Sequence, residues 1–200
     1  MKSFKEYLQE ATEKHGVLAF GRMNPPTVGH EQVVKKVKEV AKDHNAEHKV
    51  VLSHSQDAKK NPLSVDKKVQ HAKNAFPETN IHGASKDKPT ILHHAVDMHK
   101  AGVQHLHVVA GSDRKQEMHE LLHKYNGKDE KHGHYNFKSI TVHSSGERDP
   151  DAEGTTGMSA SKMRQHAKDG NEAEFHKGLP SKMKPEHKKA LYNDLKDAMK

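Results

Sequence analysis

Short apolar runs alternate along the chain with longer segments in which apolar residues recur at helical spacing. GVLAF (16–20) reads as a buried strand, and VGHEQVVKKVKEVAKDH (28–44) as a helix presenting Val33, Val34, Val37, Val40 and Ala41 on one face. HKVVLS (48–53) predicts a second strand, and PLSVDKKVQHAKNAF (62–76) a helix with Ser64 as its N-cap. TNIHGA (79–84) is a short strand, and KPTILHHAVDMHKAG (88–102) a helix closed by Gly102. QHLHVVAG (104–111), DRKQEMHELLHKY (113–125) and FKSITVHS (137–144) continue the alternation as strand, helix and strand. The loop SGERDPDAEGTTG (145–157) is long and rich in charge and glycine, which marks functional or mobile loops. Helical stretches follow at 158–170, 171–178 and 185–199, and no internal repeat or low-complexity tract interrupts the order. This alternation predicts an α/β fold: a Rossmann-like parallel sheet of about five strands with helices on both faces, plus C-terminal helices. Three units are expected: an N-terminal amphipathic helix (1–14, with Phe4, Tyr7, Leu8 and Ala11 on one face), a main domain (15–170) and a C-terminal helical segment (171–200).

Composition narrows the classes. The 200 residues are 32% apolar and 4% aromatic, so the core is modest and built from Val, Leu, Ala and Met. Without cysteine, disulfides, thiol catalysis and thiolate metal sites are excluded; a reducing, cytoplasmic setting is compatible with this. No run approaches the roughly 20 apolar residues of a membrane span, and the N-terminus lacks the apolar stretch of a secretory signal. The formal charge of +7, with 20 histidines besides, favours anionic partners such as nucleotides, phosphates or nucleic acid, and serves solubility equally well. His93, His94 and the HGH at 132–134 lack a recognisable ligand spacing and read as surface histidines, so no protein-held metal is expected.

The most constrained segment is GRMNPPTVGH (21–30), between the first strand and first helix. Gly21 permits close backbone approach, Pro25 and Pro26 stiffen the loop, and Thr27 can cap the helix. Gly29 and His30 fall in the helix's first turn, where free N–H groups and the helix dipole attract anions, and Arg22 adds fixed positive charge. The segment forms a phosphate cradle but lacks the Gly-Lys-Ser/Thr of the Walker sequence.

This segment resembles the first signature of the nucleotidyltransferase superfamily, the cytidylyltransferase-like enzymes, whose first loop ends in His/Thr-x-Gly-His; Thr27, Val28, Gly29 and His30 fill it. The second signature, of the type Ile-Ser-Ser-Thr-x-x-Arg, is similar to MSASKMR, with Ser159, Ser161, Lys162 and Arg164; Ala160 replaces a hydroxyl residue there. The resemblance spans residues 16 to about 168 and is nearest to a branch found in tailed bacteriophages, which shares segments like SHSQDAKKNPL, GSDR, KYNG and GERDPDAEG. Some nicotinamide-mononucleotide adenylyltransferases carry a similar Gly-Arg-x-x-Pro opening.

The resemblance implies transfer of a nucleotidyl group from ATP or CTP to a phosphorylated small molecule, with release of pyrophosphate. It assigns His30, Thr27, Lys162 and Arg164 to catalysis, and Gly21, Arg22, Asn24, Pro25, Gly29, Ser159 and Ser161 to the nucleotide. On the substrate side it points to Lys59, Lys60, Gly111, Asp113 and Arg114, with Arg148 as a candidate lid residue. Lys59 and Lys60 read equally as solvated loop lysines, and a helix cap is the other reading of Ser112 or Asp113. Mg2+ bridging nucleotide phosphates is the implied cofactor. MKSFKEYLQEA resembles the capsid-targeting leader of phage internal head proteins, with Leu8-Gln9-Glu10 matching the Leu-x-Glu cut of a prohead protease. That implies a host-cytoplasm protein packaged within the virion; an ordinary docking helix is the other reading. The alternative function is an inactive internal head protein binding nucleic acid or scaffold. The intact cationic and hydroxyl residues of both motifs, and the scarcity of aromatic stacking platforms, argue against it.

Overall fold

A computed structural model describes residues 13–146 and 158–200. The helix expected over 1–14 falls almost wholly outside this range, as does Arg148. Five parallel strands form the central sheet: β1 (His15–Gly21), β2 (Glu47–Leu52), β3 (Ile81–Gly83), β4 (His105–Ala110) and β7 (Ser139–Ser144). Their order is β3-β2-β1-β4-β7, so the direction of winding reverses between β1 and β4. Such a switch opens a crevice at the carboxyl ends of the two strands.

Alternate residues of each strand feed two separate cores, as the twofold period of a strand requires. Val17 and Ala19 of β1, with Val50 and Leu52 of β2, pack under helices α1 (Val28–Asp43) and α2 (Val65–Ala75). Leu18, Val51, Leu106 and Val108 face the opposite side, under α3 (Ile91–Lys100) and α4 (Lys115–Tyr125). The parallel α/β sandwich expected from the alternation is therefore the fold.

The C-terminal helices α5 (Ala160–Lys168), α6 (Glu172–Lys177) and α7 (Pro185–Ala198) extend the first core, burying Met163, Phe175, Leu191, Tyr192 and Leu195 against it. They also brace the start of α1. The Val28 N–H donates to Gly178 O at 2.9 Å, and Ser181 donates through N–H and hydroxyl to Glu31 Oε1 at 2.7 and 2.9 Å. A Cβ on Gly178 would press on the buried Met163 sulfur and on Met158, which suits glycine there.

Three local features depart from the pattern-based reading. A two-residue hairpin, β5 (Asp129–Glu130) with β6 (Gly133–His134), occupies a segment that shows no apolar alternation. The helix expected from 113 opens as a 3₁₀ turn, Ser112–Arg114, before α4 begins. His94 is not a surface histidine: it is 5% exposed, packed against the Phe20 ring at 5.9 Å between centroids. Among the described residues no helix is long and apolar enough to cross a membrane.

Candidate anion-binding cleft

A cleft of about 660 Å³ opens where β1 and β4 end. Gly21, Arg22 and Asn24 form its floor after β1, and Gly111, Asp113 and Arg114 its wall after β4. Gly29 and His30 enter from the first turn of α1, and Ser159, Ser161 and Arg164 from the first turns of α5. Lys60 reaches the cleft from the β2–α2 loop. Segments about 130 residues apart in the chain therefore line one crevice, at the switch in strand order.

The turn out of β1 is tightly held. Asn24 is buried, and its side chain pairs with the Leu63 backbone in both directions, accepting from Leu63 N–H and donating to Leu63 O at 3.2 Å each. Met23, also buried, has a φ of 44°, and the Asn24–Pro25 bond is cis. Pro25 is buried behind the turn and does not form cleft wall. A Cβ on Gly21 would meet no protein atom within 4 Å. The close approach expected at Gly21 is therefore not to another part of this chain; glycine keeps the floor open.

Thr27 and His30 act as one unit. The Thr27 N–H donates to His30 Nδ1 at 3.0 Å, and the Thr27 hydroxyl lies 3.0 Å from the same nitrogen. With Nδ1 accepting, the neutral ring carries its proton on Nε2, which gives it a donor suited to a phosphate oxygen. Thr27 is fully buried and outside the cleft wall, so it orients the imidazole rather than touching a ligand.

Ser159 caps α5, accepting from Lys162 N–H at 3.2 Å. Arg164 spans the two motifs, donating to Asn24 O at 2.8 Å and to Ser161 Oγ at 3.0 Å. Burial lowers the Arg164 pKa, the nearby Arg22 guanidinium lowers it further, and Asp57 opposes both. The partly buried Arg164 guanidinium, with the exposed Arg22 charge acting on it, forms a site that an anion would relieve. Lys162 is exposed and its side chain is not part of the wall.

On the loop after β2, Lys60 lines the cleft and Lys59 does not. Both donate backbone N–H to Asp57 Oδ1, at 2.6 and 3.0 Å. The Lys60 N–H and the Asn61 side chain are the main causes that bring the Asp57 pKa down to about 2. Arg114 pairs with Glu117 at 3.1 and 3.2 Å on the exposed start of α4.

Pattern reading overlooked Lys68. This residue lies on the buried face of α2, fully shielded, and its ammonium donates to Ser53 O, to Ser55 O at 3.1 Å and to Ser53 Oγ at 3.3 Å. It pins the chain as it leaves β2. Its spacing with His71, Ala72 and Ala75 on one helical face was the signal available. The chain matches no protein-family model and no curated protein.

Proposed function

We propose that the protein is a nucleotidyltransferase, moving a nucleotidyl group from ATP or CTP to a phosphorylated small molecule with release of pyrophosphate. The supporting observation is the convergence of the Thr27–His30 turn and the Ser159–Arg164 turn on one cleft, tied by Arg164 to Asn24 O. Two helix N-termini, an imidazole N–H and the Arg22 and Arg164 guanidiniums suit a triphosphate. An oxygen of the acceptor phosphate attacks the α-phosphorus, and the bond to the bridging oxygen of pyrophosphate breaks. His30 Nε2–H and the guanidiniums stabilise charge as it builds on the leaving group, and the rigid turn fixes the line of attack. Asp113 is the single carboxylate on the described cleft wall, so the donor set fits Mg2+ carried by the nucleotide rather than caged by protein. When bound, that ion supplies charge neutralisation on phosphate oxygens.

The test is pyrophosphate release from ATP and CTP with a panel of phosphorylated acceptors. His30→Ala should lower turnover by about 10²–10³-fold, the usual cost of one donor to a developing oxyanion. Undiminished turnover in that variant would place the chemistry elsewhere.

A further inference from the structure

The opposite end of the sheet carries a second cluster. His15 opens β1, His107 stands third in β4, and His44 follows the last turn of α1. Because α1 runs antiparallel to the strands, its C-terminus returns to their amino-terminal end and brings His44 over the pair. One ring nitrogen from each residue lies within 4.8 Å of the other two, and His15 Nδ1 is 3.0 Å from His107 Nε2. The His44 ring stacks nearly parallel on its neighbours, with centroids 4.0 Å from His107 and 5.0 Å from His15, so it must turn about its side-chain torsions to aim a lone pair between them.

We propose that His15, His44 and His107 form a binding site for a divalent late first-row metal ion, Zn2+ foremost, remote from the anion cleft. Zn–N bonds of about 2.0–2.1 Å around a tetrahedral ion set ligand nitrogens roughly 3.3 Å apart, close to the spacing of His15 and His107. His107 Nδ1 lies 3.0 Å from His143 Nε2, so a neighbouring imidazole takes its outer nitrogen and fixes which one faces the ion. In the metal-free chain one N–H joins His15 Nδ1 to His107 Nε2; the ion takes its place and the His15 proton moves to Nε2, with no net release. His44 is exposed, which provides an entry path, leaves a fourth position for water, and lets its ring turn toward the ion. Burial, with the neighbouring imidazoles, lowers the pKa of His107 to about 4 and lowers that of His15, so both present lone pairs at neutral pH. Three imidazoles without thiolates favour Zn2+, Ni2+ or Cu2+ over Mg2+.

A chain with 20 histidines also offers adventitious sites, chiefly His119 and His123 on α4, whose ring centroids are 4.0 Å apart. The experiment titrates Zn2+ into the EDTA-stripped full chain against a chromophoric chelator, and Co2+ into a second sample to record its tetrahedral absorption bands. The wild type should bind one equivalent tightly. His44→Ala, which removes an exposed ligand without touching the core, should weaken binding about 100-fold or more, given that even groups behind the ligands are worth 10–100-fold. His119→Ala/His123→Ala should leave that affinity unchanged. Equal affinity in wild type and His44→Ala, loss of the tight equivalent with the α4 pair, or no tight equivalent at all would each overturn the site. Far-UV dichroism shows whether each variant is folded, and a rise in the wild-type unfolding midpoint with Zn2+ is a second expected readout.

Discussion

Lys68 holds an ammonium on the buried face of α2, beside His71, Ala72 and Ala75. Its three hydrogen-bond acceptors all belong to the turn after β2. Burial, reinforced by the Arg22 charge, brings its pKa down to about 8 from an ordinary 10.5. At pH 7 it is still an ammonium. Between pH 8 and 10.5 the unfolded chain keeps a proton that the folded chain has released, so stability rises with pH there. The contribution is complete above 10.5 and is lost as pH falls through 8. The slope from this one group is at most about 1.4 kcal/mol per pH unit. Urea titrations of the wild type and Lys68→Met should therefore diverge in the wild type's favour as pH rises from 7.5 to 10.5. A difference that stays constant across that range would mean the ammonium is not the titrating group.

Among the elements, the first turn of α5 serves both stability and ligand binding. Ser159→Ala removes the hydroxyl that caps α5 and should cost about 1 kcal/mol in a urea titration. Arg164→Lys keeps the charge but loses the planar fork that reaches Asn24 O and Ser161 Oγ together. A hydrogen bond to a charged group is worth about 1.5–3 kcal/mol, so the unfolding midpoint should fall, and, with the guanidinium also a phosphate donor, the KM for nucleotide should rise about tenfold or more. An unchanged KM would leave Arg164 as a purely structural strut. The elements themselves were legible, because strands and helices long enough to show a period declare it. Ser64 and Ser159 were also readable, as hydroxyl residues at helix starts. The β5–β6 hairpin was not, since two-residue strands have no period to show. Nor was the Arg164–Asn24 bond, which spans 140 residues, or the meeting of His15, His44 and His107 from three elements. Such contacts are set by how layers stack, which local spacing does not encode.

Across the whole molecule, folding turns a histidine-rich chain into one that resists protonation. The pKa values of His94 and His107 are lowered to about 4, and those of His15, His48, His71, His82, His93 and His143 are also lowered, in every case chiefly by burial. Below pH 6.5 the unfolded chain gains protons at these rings before the folded chain does, so each takes away stability as pH falls. The effects share one sign and add, at up to about 1.4 kcal/mol per pH unit for each of the buried rings of His71, His94 and His107 and less for the more exposed ones, where solvent screens the shift, against a total of only about 5–15 kcal/mol for a typical domain. Carboxylates act in a lower window. Glu39, lowered mainly by the Lys36 hydrogen bond, and Asp57 start from 4.5 and 3.8, so their loss sets in only within about one unit above those values. The interval from pH 6.5 to about 5.5 thus reports histidines, and below it comparison with a single-histidine variant cancels the carboxylates. His94 isolates one of them away from the His15–His44–His107 cluster: it packs on Phe20, with Lys49 and His93 lowering it further and Asp97 and the Lys88 backbone opposing. In urea titrations with EDTA present, the wild-type midpoint should fall steadily from pH 6.5 to 4.5, and His94→Leu should show a shallower fall by up to one proton. A wild-type midpoint flat over that interval would mean that the buried rings take up protons in the folded chain as readily as in the unfolded one.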